Sequence, residues 1–295
     1  MVQYFLALVI DGALAGAIYA LIALAFVLVY KASAMINFAI GEWIMLGALL
    51  AGVGMHLLQL GAIGALAFAG IGMIALAACF CRFVVRRLVA RPAIAAIMVT
   101  IGLGMILRGL APLLFPGVSG LIPSSMLSEP WTVSGVDIPA NKLAAAGVAV
   151  LCTAAIGLFY RISRTGVALR AIADDPQAAM SAGIDVDRHL LFVWGLTGLV
   201  SVVAGVLWVF VAGSGFGVAL VGLKIFPIVI IGGLDSVAGT IVAAIAIGML
   251  ESLGAGYLDG VVGSGFGAVV PYLAILMMLM VRPHGLFGHP RIERV

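Results

Sequence analysis

Charged residues are scarce in this sequence, and their scarcity narrows the possible functions. Asp, Glu, Lys and Arg make up 9% of its 295 residues, whereas a soluble domain averages about 25%. Hydrophobic residues make up 64% and the mean hydropathy is +1.30, so too few polar side chains remain to cover a water-soluble fold. The composition therefore argues against a soluble enzyme, a nucleic-acid-binding protein and a disordered protein. It predicts an integral membrane protein.

The signatures of catalysis and of metal binding are also missing. The three cysteines, Cys79, Cys81 and Cys152, all lie within apolar runs and give no disulfide framework. No His, Asp or Glu lies near Cys79 and Cys81 in the sequence, so we predict no metal site. No Gly-x-x-x-x-Gly-Lys-Ser/Thr phosphate-binding loop occurs. We therefore predict that the chain is not an enzyme and binds no cofactor of its own.

Apolar runs long enough to cross a bilayer recur along most of the chain. A helix needs about 20 apolar residues to cross the hydrocarbon core. The run 218–253 is too long for one span and contains Pro227 and a double glycine at 232–233, so it either crosses twice or forms a broken, re-entrant helix. The sequence predicts one all-α domain over residues 1–295, a polytopic transmembrane helical bundle of eight or nine membrane segments. These lie at about 4–30, 34–57, 60–81, 92–115, 142–160, 190–211, 218–253 and 266–281.

The basic residues predict the orientation, because cytoplasmic loops carry an excess of Lys and Arg. Arginines cluster in 82–91, in 161–189 and in the C-terminal tail, whereas 116–141 contains two acidic residues and no basic one. We expect 82–91 and 161–189 to be cytoplasmic and 116–141 to be an external loop. Nine segments would place the arginine-containing tail in the cytoplasm.

The segment 163–184 is polar enough to leave the bilayer, yet it carries the signals of short helices. Residues 166–173 can form one helix. Asp175 can cap a second helix with Pro176 at its first position, and Gly183 can end it. Two short helices of this kind suit a docking element for a cytoplasmic partner. A structured connector on the lipid surface explains the composition equally well.

Polar residues inside spans are costly and by default raise a functional hypothesis. Asn37 and Glu42 would lie about 140° apart on a regular helix, so one could face a translocation path and the other a neighbouring helix. Anchoring at the membrane interface is the alternative for Asn37. We expect Arg108 to extend towards the outer interface, and Asp11 and Lys224 to anchor near external ends. Glu42 is then the only carboxylate assigned to the middle of a span.

Glycines mark close packing and turns. Gly12 and Gly16 form a small-xxx-small pattern that lets helices approach closely. Gly-Ser-Gly-Phe-Gly occurs at 213–217 and again at 263–267, which either a duplicated half or two flexible turns would explain. Asp235, after the double glycine, is expected to cap the following helix.

Four segments resemble signatures of one family, the permease subunits of branched-chain amino-acid ABC importers. The cytoplasmic loop of that family runs from an Arg-Ala pair through Asn/Asp-Pro and small residues to Gly-Ile, and 163–184 is similar to it. The other three occur in the same order as in the family, at 19–42, 231–239 and 282–288. Two positions depart from the pattern: Ile40 stands where His or Gln is common, and Asp235 where Gly or Ser is common.

The resemblance implies an importer built from two permeases and two ATPases and fed by an external binding protein. The chain would be a multi-pass permease subunit of a bacterial inner membrane, in contact with lipid and not with nucleic acid. It would form a heterodimer with a second, related permease, and the partner subunits would hydrolyse the ATP. The implied cargo is a branched-chain amino acid or a related small amino acid or amide. The implied coupling residues are Arg164, Arg170, Asp174, Asp175, Pro176 and Gly183, and the candidates for the path or its gating are Asn37 and Glu42.

An ion-coupled secondary transporter or a passive channel for a small polar solute is the alternative function. Discontinuous helices such as the one expected around Pro227 occur in secondary transporters. Such transporters usually carry carboxylates in the middle of their spans, and here only Glu42 is assigned to such a position. A channel gives no reason for a structured loop at 163–184.

Overall fold

The computed structural model describes residues 2–88, 92–115, 131–133, 136–213, 216–282 and 285–288. Nearly all of these residues are helical, which confirms the all-α prediction. Most of the predicted external loop and the last seven residues lie outside the described part. The helices are α1 (Val2–Ser33), α2 (Ile40–His56), α3 (Gly61–Phe80), α4 (Arg86–Leu88), α5 (Ala93–Leu114), α6 (Ala140–Ile162), α7 (Arg164–Asp174), α8 (Pro176–Ser181), α9 (Val186–Ala212), α10 (Val221–Gly232), α11 (Val237–Val262) and α12 (Val270–Val281).

Shorter elements connect these helices. A π-helical turn, Cys81–Val85, joins α3 to α4, and 3-10 helices at Phe216–Leu220 and Phe266–Val269 precede α10 and α12. Two three-residue strands, β1 (Trp131–Val133) and β2 (Val136–Ile138), pair antiparallel within the predicted external loop. Sequence analysis did not predict this small hairpin.

Six of the described helical segments are long and apolar enough to cross a membrane. They are α1, α3 with its extension through α4, α5, α6, α9 and α11. Three shorter apolar helical segments, 40–56, 217–232 and 266–281, accompany them. A polytopic helical membrane protein is therefore confirmed. The long apolar run 218–253 divides into α10 and the first part of α11.

The residues cluster into two compact units, and the first draws on 1–27, 124–151 and 223–295. In this unit α1 packs closely against α11. A Cβ atom added to Gly12 would lie 2.5 Å from the carbonyl oxygen of Gly248, and one added to Gly16 would lie 2.7 Å from the Cα of Ile245. Because no side chain intervenes, the two backbones touch. This is the close approach that the small-xxx-small pattern predicts.

Ser236 caps the N-terminus of α11, at the turn that follows α10. Its side chain accepts a hydrogen bond of 3.0 Å from the backbone N–H of Gly239, which satisfies one of the free N–H groups of the first turn. The prediction that Asp235 caps this helix is therefore wrong by one residue.

The segment 285–288 closes over the same turn. The N–H of Leu286 donates to the carbonyl oxygen of Ile231 at 2.8 Å. Gly233 has φ +100°, and an added Cβ would lie 2.6 Å from the backbone nitrogen of Gly288. Residues 285–288, which belong to one signature segment, thus pack directly against the signature segment 231–239.

The second unit draws on 28–123 and 152–222, and its core is the packing of α2, α3 and α9. One aromatic side chain from each helix meets there: Trp43, Phe80 and Trp194 have ring centroids 5.0–6.2 Å apart, and all three are buried. Close glycine contacts support the cluster. A Cβ at Gly205 would lie 2.3 Å from the carbonyl oxygen of Ile44.

The two Gly-Ser-Gly-Phe-Gly sequences begin at equivalent points in the order of elements. Each begins at a glycine with positive φ that ends a long helix, Gly213 after α9 and Gly263 after α11. Each leads through a 3-10 helix into a helix of 12 residues. This shared order of elements favours a duplicated unit over two unrelated turns.

Gly248→Ala should destabilise the protein, because the new methyl group would lie 2.4 Å from the carbonyl oxygen of Gly12 and overpacking costs about 1–3 kcal/mol. Gly260→Ala is the matched control in the same helix, since no heavy atom lies within 4 Å of its added Cβ. Alanine favours helix over glycine, so the control should be neutral or stabilising. Thermal unfolding in detergent measures both variants, and equal melting temperatures would contradict the backbone contact.

Candidate functional site

The segment 34–39, here called the junction, connects α1 to α2 and holds Asn37. The side chain of Asn37 is buried, with 1% exposure. Its Oδ1 accepts a hydrogen bond of 3.0 Å from the N–H of Ala39, whereas its Nδ2 has no partner among the described residues. A buried polar atom without a partner costs about 1–3 kcal/mol, so this amide is a candidate for contact with water or solute. Anchoring at an exposed interface does not fit the burial.

Thr100 fastens the junction to α5. Its hydroxyl oxygen accepts a hydrogen bond from the N–H of Phe38 at 3.2 Å and lies 3.3 Å from the carbonyl oxygen of Ile36. Thr100 is fully buried. The two residues that flank Asn37 are thereby held in place, although the junction belongs to neither neighbouring helix.

Glu42, on the first turn of α2, forms an ion pair with Arg108 of α5. The carboxylate is buried, with 7% of the side chain exposed, whereas 48% of the Arg108 side chain is exposed. Gly104, one turn before Arg108, leaves room for the carboxylate: an added Cβ would lie 3.1 Å from its Oε2. Arg108, which was expected to extend towards the outer interface, thus has a buried carboxylate as its partner within the chain.

A second polar cluster, centred on Glu251, lies in the unit that contains α11. Lys224 of α10 donates to one carboxylate oxygen of Glu251, and the hydroxyl of Tyr19 donates to the other at 3.0 Å. Tyr19 is buried, and the Lys224 and Glu251 side chains are 23% and 17% exposed. Glu251 lies near the middle of α11. Sequence analysis missed it, although Lys224 in the same apolar stretch was a signal that a buried partner was needed.

The same unit holds one more ion pair. Asp11 of α1 binds Lys142 of α6 at 2.6 Å, and the hydroxyl of Ser252 lies 3.4 Å from the other carboxylate oxygen. Asp11 and Lys224 were expected to act as anchors, and both belong to ion pairs. The carboxylates of Asp11, Glu42 and Glu251 therefore each face a cation, an arrangement that stabilises charge inside a membrane and leaves none of these three free to bind a coupling ion alone.

The two short helices predicted in 163–184, here called the docking segment, are confirmed. The hydroxyl of Ser163 accepts from the N–H of Gly166 at 2.9 Å and so caps α7. The carboxylate of Asp175 accepts from the N–H groups at 177 and 178, and Pro176 occupies the first position of α8. Gly183 follows that helix with φ +83°. Capping signals that act over three or four residues predicted this structure correctly.

The coupling candidates do not all lie on one surface. Arg164, Asp174, Asp175 and Gly183 are exposed. Arg170 is half-buried, and its guanidinium donates to the carbonyl oxygens of Tyr160 and Arg161 at the end of α6. Arg170 is therefore engaged within the chain, and the exposed members are the ones that a partner can reach.

An open depression of about 430 Å³ lies between the end of α8 and the start of α9. Met180 borders it, and 55% of Met180 is exposed. Val167, 52% exposed, is a second large apolar side chain at the surface of the docking segment, so this segment presents apolar as well as charged surface. The depression is lined by Met180, Gly183, Ile184, Asp185, Val186 and Asp187.

No group of three or more His, Cys, Asp and Glu side chains in the described ranges is arranged to hold a metal ion. The described candidate sites therefore offer ion pairs, the unpaired amide nitrogen of Asn37 and the exposed side chains of the docking segment.

Arg108→Met should destabilise the protein more than Glu42→Gln does. Removing Arg108 leaves the buried Glu42 carboxylate without its cation, and breaking a buried ion pair in this way costs about 3–5 kcal/mol. In Glu42→Gln, by contrast, the half-exposed Arg108 can turn its head towards water. Thermal unfolding of both variants in one detergent provides the comparison, and the double variant should recover part of the loss. A larger loss in Glu42→Gln would refute this description of the pair.

Comparison with known proteins identifies the family. The family model described as "Branched-chain amino acid transport system / permease component" matches residues 8–281. The high-affinity branched-chain amino acid transport system permease protein LivH of Escherichia coli (strain K12) is 29% identical over 99% of this chain and 98% of its own length. BraD of Pseudomonas aeruginosa, which carries the same description, is 26% identical over 100% of this chain and 99% of its own length.

The fold also resembles that of a solved structure. PsaBC from Streptococcus pneumoniae, in complex with Fab, matches with a TM-score of 0.53 and 18% identity over 96% of this chain and 97% of that chain. This chain belongs to the family of branched-chain amino acid transport system permease components.

Proposed function

We propose that this chain is the transmembrane permease subunit of an ATP-driven importer and forms its translocation path. The cargo is a branched-chain amino acid or a related small amino acid or amide, handed over by an external binding protein. The observation that carries the proposal is the docking segment: two capped helices joined by one residue, with exposed acidic side chains and the apolar Met180. A passive channel would not need such a surface.

The energy for transport comes from other subunits. The sequence contains no phosphate-binding loop, so ATP is hydrolysed by two cytoplasmic ATPases that bind the docking segment. A second, related permease completes a heterodimer in a bacterial inner membrane. In this arrangement residues 1–295 form a single permease domain surrounded by lipid and bind no cofactor or nucleic acid.

We propose nine membrane segments. The 12 residues of α10 and the five of its 3-10 helix reach about 28 Å at 1.5 and 2.0 Å per residue. The 12 residues of α12 with the four of its 3-10 helix reach about 26 Å by the same values. Both lengths approach the hydrocarbon core of about 30 Å. Nine crossings place 161–189 and the tail in the cytoplasm and 116–141 outside.

Asn37 and Glu42 are the residues proposed for the path or its gating. The unpaired amide of Asn37 offers a polar contact to a passing solute. Glu42, five residues further along the chain, is neutralised by its ion pair with Arg108. A zwitterionic amino acid keeps both of its charges solvated, so an open path needs width and water more than a tight pocket. Selectivity then belongs to the binding protein.

A pull-down of the tagged chain from native membranes in mild detergent, followed by mass spectrometry, tests the proposal. We expect a second permease and nucleotide-binding subunits to be recovered with it. Recovery of the chain alone, still able to move solute into liposomes without ATP, would make it a secondary transporter or channel instead.

Met180→Glu should reduce recovery of the ATPases about tenfold, which corresponds to about 1.4 kcal/mol of binding free energy, because it puts a charge at the proposed contact. Trp131→Glu is the matched control: Trp131 is also apolar and 64% exposed, but it lies in the loop proposed to be external. The amount of ATPase retained per permease shows whether Met180 contacts the ATPases. Equal retention in the two variants would remove Met180 from the contact.

Asn37→Ala should lower the transport rate by about tenfold, which is 1.4 kcal/mol in the barrier, and leave the order of preferred amino acids unchanged. Thr240→Val is the control, because Thr240 is another buried residue whose hydroxyl has no partner but is not assigned to the path. Uptake of a panel of competing amino acids measures both quantities. A changed preference in Asn37→Ala would show that the permease itself selects the cargo.

A further inference from the structure

The ring of Tyr160, near the end of α6, attracts cations from two other helices. The ammonium nitrogen of Lys31, in the last turn of α1, lies 5.3 Å from the ring centroid. The guanidinium carbon of Arg170, on α7, lies 5.7 Å from it. Both are within the range of cation–π attraction, which strengthens where the ring is shielded from water. Tyr160 is 7% exposed, so one buried ring joins three helices.

The backbone around Tyr160 fixes the docking segment to α6. Ser163 alone separates the two helices, and Gly166 lies so close that an added Cβ would be 2.2 Å from the carbonyl oxygen of Tyr160. Arg170 donates to that same carbonyl oxygen and to that of Arg161, which neutralises the free carbonyl end of the helix. A displacement of α7 must therefore move the end of α6 and the ring.

The chain itself connects Lys31 to the junction. Lys31 is followed two residues later by the end of α1, and Ala34 then has φ +52°. This is an unfavourable conformation for a residue with a Cβ, and such conformations are found where the surroundings enforce them. Asn37, with its unpaired amide, lies three residues further on. All of these residues belong to the same compact unit.

We propose that Tyr160 is a positioning residue that transmits displacement of the docking segment to the junction and Asn37. The inference rests on the proposed function, since the displacement arises from ATP binding and hydrolysis in the partner subunits. The face of the Tyr160 ring connects the two segments, because Lys31 and Arg170 both lie over it. The hydroxyl does not, because it is buried without a hydrogen-bond partner.

Tyr160→Leu and Tyr160→Phe test the inference in the complete importer reconstituted in proteoliposomes. Leucine keeps an apolar side chain but removes the ring, so solute moved per ATP hydrolysed should fall about fivefold or more, the lower range of coupling between sites. Phenylalanine keeps the ring and should behave like the parent. Retention of the ATPases should be normal in both variants.

Lys31→Met and Lys31→Arg provide a second pair of variants away from the docking segment. Methionine removes the cation and should lower the coupling ratio while ATPase retention stays normal, and arginine should restore it. A normal coupling ratio in Tyr160→Leu or Lys31→Met would overturn the inference, as would an equal fall in Tyr160→Phe. Loss of ATPase retention in Tyr160→Leu would also overturn it, because the ring would then serve docking or folding.

Different results would contradict the importer function and the role of Tyr160. If the unaltered chain recovers no ATPase and moves solute without ATP, the proposed function fails and the inference with it. If the unaltered importer is coupled and the ring variants are coupled equally well, only the role of Tyr160 fails.

Discussion

The cost of placing a charge inside a bilayer is the constraint on which the rest of this structure depends. An ionised side chain there requires a partner, and in the described residues Asp11 binds Lys142, Glu42 binds Arg108, and Glu251 binds Lys224. Each pair joins two different helices, so the electrostatic requirement also fixes which helices are neighbours within each unit. Close glycine contacts then supply the packing, because van der Waals contact rather than the hydrophobic effect drives association of helices in lipid.

Signals that act over a few residues made much of this fold predictable. Apolar runs located the membrane helices, and Asp175, Pro176 and Gly183 located α8 with its cap and its end. Contacts between distant residues were not predictable, because one sequence carries no record of which helices pack together. Arg108 lies 66 residues from Glu42, and Glu251 lies 232 residues from Tyr19. The one wrong cap, Asp235 in place of Ser236, shows that even local signals can err by a residue where two capping side chains adjoin.

The segments proposed for docking and for the translocation path are far apart along the chain, and Tyr160 connects them in space. The docking segment lies between α6 and α9, whereas the junction lies between α1 and α2, yet Tyr160 contacts residues that border both. The proposed importer requires such a link, because in it ATP would be hydrolysed on another subunit while the solute moves past this one. Arg170 illustrates the point: the resemblance implies a coupling residue, and its guanidinium ties α7 to the end of α6.

The energy source for transport is the most direct test of this account. Purified complex would be reconstituted into liposomes with its binding protein outside, and uptake of labelled leucine would be followed with ATP and Mg²⁺ inside, or with a proton or sodium gradient alone. The account predicts uptake that requires internal ATP and the binding protein and continues when ionophores remove the gradients. Uptake driven by an ion gradient in the absence of ATP would contradict it.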